Sequence, residues 1–77
     1  MKKIYELKYT QIGLKIAYYR KLRGLTQEEL AERINKSPAF IGHIEAPNIN
    51  KAVSLDTLFD ISEELDVPAY KFLLFDE

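Results

Sequence analysis

The chain has 77 residues, 47% of them apolar and 30% charged, which suits one small water-soluble domain with a modest core and leaves no room for two. It contains no Cys, hence no disulfide and no thiolate chemistry, and no apolar run nears the ~20 residues that span a bilayer, so a cytoplasmic protein is expected. The net charge of −1 hides an imbalance: residues 1–36 carry nine Lys/Arg against four Glu, a net of +5, and residues 37–77 carry two Lys against eight Asp/Glu, a net of −6.

The N-terminal stretch "MKKIYELKYT" starts with two lysines and then mixes charged and apolar residues, unlike a signal peptide. Residues 1–9 are read as an extension ahead of a five-helix core at 10–75, the whole of 1–77 forming one domain. Val and Ile never alternate with polar residues over a long run, so strands are not expected.

The first predicted helix covers 10–23, with Thr10 as N-cap and Gly24 as the left-handed residue that stops it. Its apolar face is Ile12, Ile16, Tyr19 and Leu22 or Arg23. The second covers 26–34. Thr26 caps it and Glu29, three residues on, completes a capping box; Leu30, Ala31 and Ile34 face inward. The third covers 37–45, capped by Ser37, with Pro38 in the first turn where no amide hydrogen is needed and Ile41 and Ile44 buried. "APNINKAV", 46–53, is a loop. A fourth helix runs from the Ser54 cap to about Leu65, with Leu55, Leu58, Phe59, Ile61, Ser62 and Leu65 on or near its core side. Pro68 opens a short fifth helix, 68–74.

Only Asn35 and Lys36 separate Ile34 from Ser37. So short a link makes helices 2 and 3 cross steeply, the geometry of a helix-turn-helix, although a generic helical hairpin can have a turn as short. The run "IGLKIAYYRKLRGLTQEELAERINKSPAFIGHIE" followed by "SLDTLFDISEELDVPAYKFL" resembles the Cro/lambda-repressor type of helix-turn-helix domain, the XRE family. The resemblance spans roughly 12–75. It implies an all-α, five-helix lambda-repressor-like bundle whose usual activity is sequence-specific binding of double-stranded DNA by a transcriptional regulator, repressor-like and commonly a homodimer.

Residue by residue, the resemblance implies that Gln27 bonds a DNA phosphate and braces the reading helix. It pairs Arg20 with Glu45 in a structural salt bridge, and it makes helix 3 the reading helix, with Ser37, Pro38, Ala39 and His43 at base-reading positions and Phe40 beside them. Ala39, Phe40 and the Pro38 ring suit a thymine methyl; His43 suits guanine or a phosphate. Each has a plainer role available. Pro38 starts any helix well, Phe40 can pack sideways on helix 2, and an exposed His43 can be idle. Gly42 weakens a helix interior; the family usually has a small residue here, and the resemblance implies close approach of DNA or of helix 2.

Phosphate candidates are Lys15, Arg23, Lys36 and Lys51, with Asn48 and Asn50 in the loop after helix 3. The apolar C-terminal segment offers Tyr70, Phe72, Leu73 and Phe75 as dimer candidates. Ile4, Tyr5, Leu7 and Tyr9 add apolar surface at the other end; both ends serve equally well as cover for the core. Two departures from the family pattern stand out: "EAPN" follows helix 3 where Gly is usual, and the reading face carries no Arg or Gln. A rival use of the same face is an antitoxin-like or anti-repressor module that binds protein. One His, no Cys, no phosphate-cradling Gly loop and no clustered carboxylates supply no catalytic or metal set, so neither an enzyme nor a cofactor is expected.

Overall fold

The computed structural model describes residues 2–49 and 51–75. Four α-helices follow one another: α1 Glu6–Leu22, α2 Gln27–Arg33, α3 Pro38–Glu45 and α4 Leu55–Leu65. Short 3-10 segments, Lys3–Tyr5 and Ala69–Leu73, precede and follow them, and no strand occurs among the described residues.

Helix starts follow side-chain chemistry. The Thr26 hydroxyl accepts from the Glu29 amide at 3.0 Å while the Glu29 carboxylate accepts from the Thr26 amide at 2.9 Å, the reciprocal box read from the sequence. Hydrogen bonding from Thr26 to the carboxylate, the backbone amide first and the side chain second, holds the Glu29 carboxyl below the usual carboxylate range. Ser37 caps α3 through the Phe40 amide and Ser54 caps α4 through the Thr57 amide, both at 3.2 Å.

Helix ends follow backbone chemistry. Gly24, Asn35 and Asp66 take positive φ, 75°, 59° and 53°. At each, the residue after it donates back to the last turn: Leu25 to Arg20, Lys36 to Ala31 and Val67 to Ser62. These three reversals set the angles at which the helices leave one another.

Ile16, Leu30, Ile41, Ile61, Leu65 and Phe72 are the largest fully buried side chains, one or more from each helix and from the last segment. Each contributes ~1.5–3 kcal/mol by leaving water. The backbones of α1 and α3 approach closely: a Cβ at Gly13 would land on the carbonyl oxygen of Ile44.

Four expectations need correction. The first helix begins at Glu6, so residues 6–9 are helix and not extension, and Thr10 is no cap. Nothing between Glu6 and Thr10 breaks a helix, and Tyr9 packs on the core one turn before Ile12 and Gly13. Thr10 instead donates its hydroxyl to the carbonyl of Pro47, 3.3 Å away, tying α1 to the loop after α3. The fifth helix is a 3-10 segment, Ala69–Leu73: after Pro68 the short run closes with i to i+3 bonds, the Lys71 amide donating to the Pro68 carbonyl at 3.0 Å. It drives Phe72 into the core, so Phe72 is not available as dimer surface. Finally, Leu22, Arg23, Leu55 and Phe59 face solvent. On α1 the third member of the buried stripe is Arg20, after Ile12 and Ile16, and on α4 the stripe is Thr57, Leu58, Ile61 and Leu65.

Candidate nucleic-acid interface

Helix α3 is held at one end and free at the other. At its C-terminal end Glu45 is 7% exposed and accepts three hydrogen bonds: Arg20 Nε at 2.7 Å, Arg20 Nη2 at 2.8 Å and Gln27 Nε2 at 2.9 Å. Arg20 also donates through Nη1 to the Leu25 carbonyl at 2.7 Å. The hydrogen bond to Glu45 raises the guanidinium pKa above its already high ordinary value, so Arg20 stays charged. A buried carboxylate so fully met is a rigid joint between α1, α2 and α3. Arg20 and Glu45 thus pair as the family resemblance implies. Gln27 supplies the brace and spends one amide hydrogen on it.

At the N-terminal end Ser37, Pro38 and Ala39 are exposed, and His43 is exposed one turn further on. All four point to solvent along one side of a helix whose opposite side, Ile41 and Ile44, is buried. The Ser37 oxygen already accepts the Phe40 amide, leaving its hydroxyl proton to donate outward. A Cβ at Gly42 would sit in ordinary contact with Gln27 Oε1 at 3.5 Å, so crowding by α2 does not require glycine there.

Phe40 behaves differently from its neighbours. It is half-buried and packs against the core. The ammonium of Lys36 lies 5.2 Å and that of Lys51 5.5 Å from its ring centre. A ring in this position draws together two cations 15 residues apart in sequence, from the turn before α3 and the loop after it. Asn48 is exposed in that loop, within the turn that closes from the Ile49 amide to the Ala46 carbonyl. Asn50 lies outside the described residues.

Arg23 does not join this surface. Its Nε donates to the Leu65 carbonyl at 2.6 Å and Nη2 to the Asp66 carbonyl at 3.0 Å, so it fastens the end of α1 to the end of α4. Glu28 and Glu32 stand beside Asn35, Lys36 and Pro38 around a shallow surface depression. Carboxylates next to the free tip lower the general attraction of a polyanion and leave more of the affinity to specific contacts.

Sequence reasoning missed three supports of the site. Gly13 admits α3 onto α1, and a glycine in the middle of an apolar helix was the available signal. Asn35 takes the left-handed turn between α2 and α3, which its residue type and place after a helix favour. The bracing role of Gln27 came from the resemblance; its partner, Glu45, had no local signal, since the hydrogen bond joins residues 18 apart.

A helix-turn-helix family model matches residues 16–72, most of the chain and all of α2 and α3. No curated protein matches it closely enough to stand as a relative.

Proposed function

The chain belongs to the helix-turn-helix family of the Cro/lambda-repressor type, and on that premise we propose that it is a repressor-like transcriptional regulator that binds double-stranded DNA sequence-specifically as a homodimer in the cytoplasm. DNA binding itself is what the family does; the finer reading concerns how this chain does it.

The observation that carries it is the division of α3. Arg20, Gln27 and Gly13 fix its C-terminal end, and its tip is presented bare. A helix tip held at a fixed tilt can enter the major groove without reorganising, which is how this motif docks. Ala39 and Pro38 meet thymine methyls; His43 and the Ser37 hydroxyl meet base acceptors. Lys36 and Lys51, with the Asn48 amide, meet the flanking phosphates. Two copies would set their tips about 34 Å apart, one turn of duplex.

The test is site selection from a random duplex library with the purified chain, followed by fluorescence anisotropy on the enriched sequence across salt. An enriched palindromic consensus, and affinity that falls steeply with salt, are expected. No enrichment and no retention of any duplex at low salt would overturn the reading in favour of a protein-binding use of the same face.

A further inference from the structure

Much of the positive charge in the first half of the chain lies away from the reading tip. Residues 1–36 carry a net of +5, and four of their lysines, Lys2, Lys3, Lys8 and Lys21, belong neither to the Arg20–Glu45 joint nor to the surface around α3. All four are exposed and stand on α1 or just before it. Glu6 is the one acid of that helix, and it is half-buried.

Helix α1 is apolar on two sides. Its inner side carries Ile12, Gly13 and Ile16. On its outer side Leu7, Leu14, Tyr18 and Leu22, with Ile4 just ahead of the helix, are between 49 and 76% exposed. Steps of three, four and seven residues set them in one row about 25 Å long. Gln11, the polar residue within that row, is half-buried. Lys8 and Lys15, seven residues apart, follow one margin of the row and Lys21 the other, with Lys2 and Lys3 at its head. Glu6 lies about a third of a turn away from the row.

We propose that this face of α1 docks on an anionic lipid bilayer: the helix lies flat in the interface, with its apolar row against the acyl chains and its lysines among the headgroups. Three observations favour a bilayer. The charge beside the row has one sign on both margins, which suits a surface that is negative everywhere, such as the cytoplasmic leaflet. Lysine stems are long enough to stay wet while the row is buried, and the amphipathic ring of Tyr18 suits headgroup depth. The acidic excess of the chain sits in later elements, −6 over residues 37–77, so an anionic surface draws the molecule in with α1 foremost. No helix among the described residues is long and apolar enough to cross a bilayer, so the contact is one of lying on it. Docking spares the reading tip, because α1 meets α3 through Gly13, on a side of the helix away from the row.

The proposal goes beyond DNA recognition and does not depend on it, and its tests are made without DNA. The chain has no Trp, so one can be placed as a reporter. Tyr18→Trp puts it in the row, and Phe59→Trp puts it on the exposed face of α4. With vesicles of mixed phosphatidylcholine and phosphatidylglycerol at low salt, the Tyr18→Trp emission should shift to the blue and saturate, and the Phe59→Trp emission should stay in place. Phosphatidylcholine alone should give no shift, and added salt should reverse the one seen. In co-sedimentation of the otherwise native chain with the same mixed vesicles, Leu7→Glu with Leu14→Glu should abolish binding while the urea midpoint stays within a narrow range of wild type. Lys8→Gln with Lys21→Gln, one lysine from each margin, should lower partitioning by about tenfold or more. A wild type that ignores the mixed vesicles at low salt would overturn the proposal. So would binding that survives the Leu7 and Leu14 substitutions, equal shifts from the two reporters, or equal binding to phosphatidylcholine alone. Sedimentation equilibrium without vesicles adds one more way to fail: unbound vesicles, together with a self-associated form that the same leucine substitutions dissolve, would give this face to a second protein.

Discussion

The two ends of α3 follow opposite rules. Around Glu45 every polar atom is met, a glycine lets two backbones touch, and little surface is left to solvent. Around Ser37 to Ala39 one capping hydrogen bond is all that holds the side chains, and the residues are small or ringed and exposed. A helix that must slot into another molecule gains from this split. Stability concentrated at one end leaves the other free to vary with the ligand, without loss of the tilt at which it is offered.

Substitutions at the held end should damage folding first and binding only as a consequence. The largest effect should come from Arg20→Met, which strands a buried carboxylate; urea denaturation should show a loss of ~3–5 kcal/mol. Replacing Glu45 by Met in the same chain should recover much of that, since no charge is then left unpaired. Gly13→Ala should cost ~1–3 kcal/mol or more, because the added methyl meets the Ile44 backbone and not a flexible side chain.

Substitutions at the free end should do the reverse. His43→Ala should change stability by less than ~0.5 kcal/mol yet lower affinity for the selected duplex by ~1–3 kcal/mol and relax one position of the consensus. Ser37→Ala sits between the two regimes, because its oxygen caps the helix while its proton faces outward. It should lose ~1 kcal/mol of stability and a smaller part of the affinity. The smallest effect belongs to the capping box of α2. The Glu29 pKa is lowered in the folded chain, so its contribution is present above the ordinary carboxylate range and fades as pH falls through the depressed value. In Glu29→Gln that acid-side slope should flatten, which a pH series of melting temperatures would show.

The held end was only half legible in the sequence. Arg20 and Glu45 came from resemblance, and no spacing argument joins residues 25 apart. The free end was more legible, because caps and turn residues act within four positions of themselves: Thr26, Ser37, Ser54 and Gly24 all do what their types predict. The errors share a cause. By type Arg23 suits a phosphate and Phe72 a surface, whereas each is claimed by a distant part of the fold: Arg23 by Leu65 and Asp66, Phe72 by the core. The start of α1 was misplaced because Thr10 resembles a cap and the helix already running through it leaves no local mark.

Ala39→Glu separates the two ends most cleanly. A carboxylate in the first turn of α3 is favoured by the helix dipole, and the position is exposed, so urea denaturation should show stability unchanged or raised by ~0.3–1 kcal/mol. The same carboxylate would stand in the groove of a bound duplex, so anisotropy on the selected sequence should show binding lost. A variant that folds as well as wild type and still binds that duplex with undiminished affinity would contradict the assignment of this tip as the reading element.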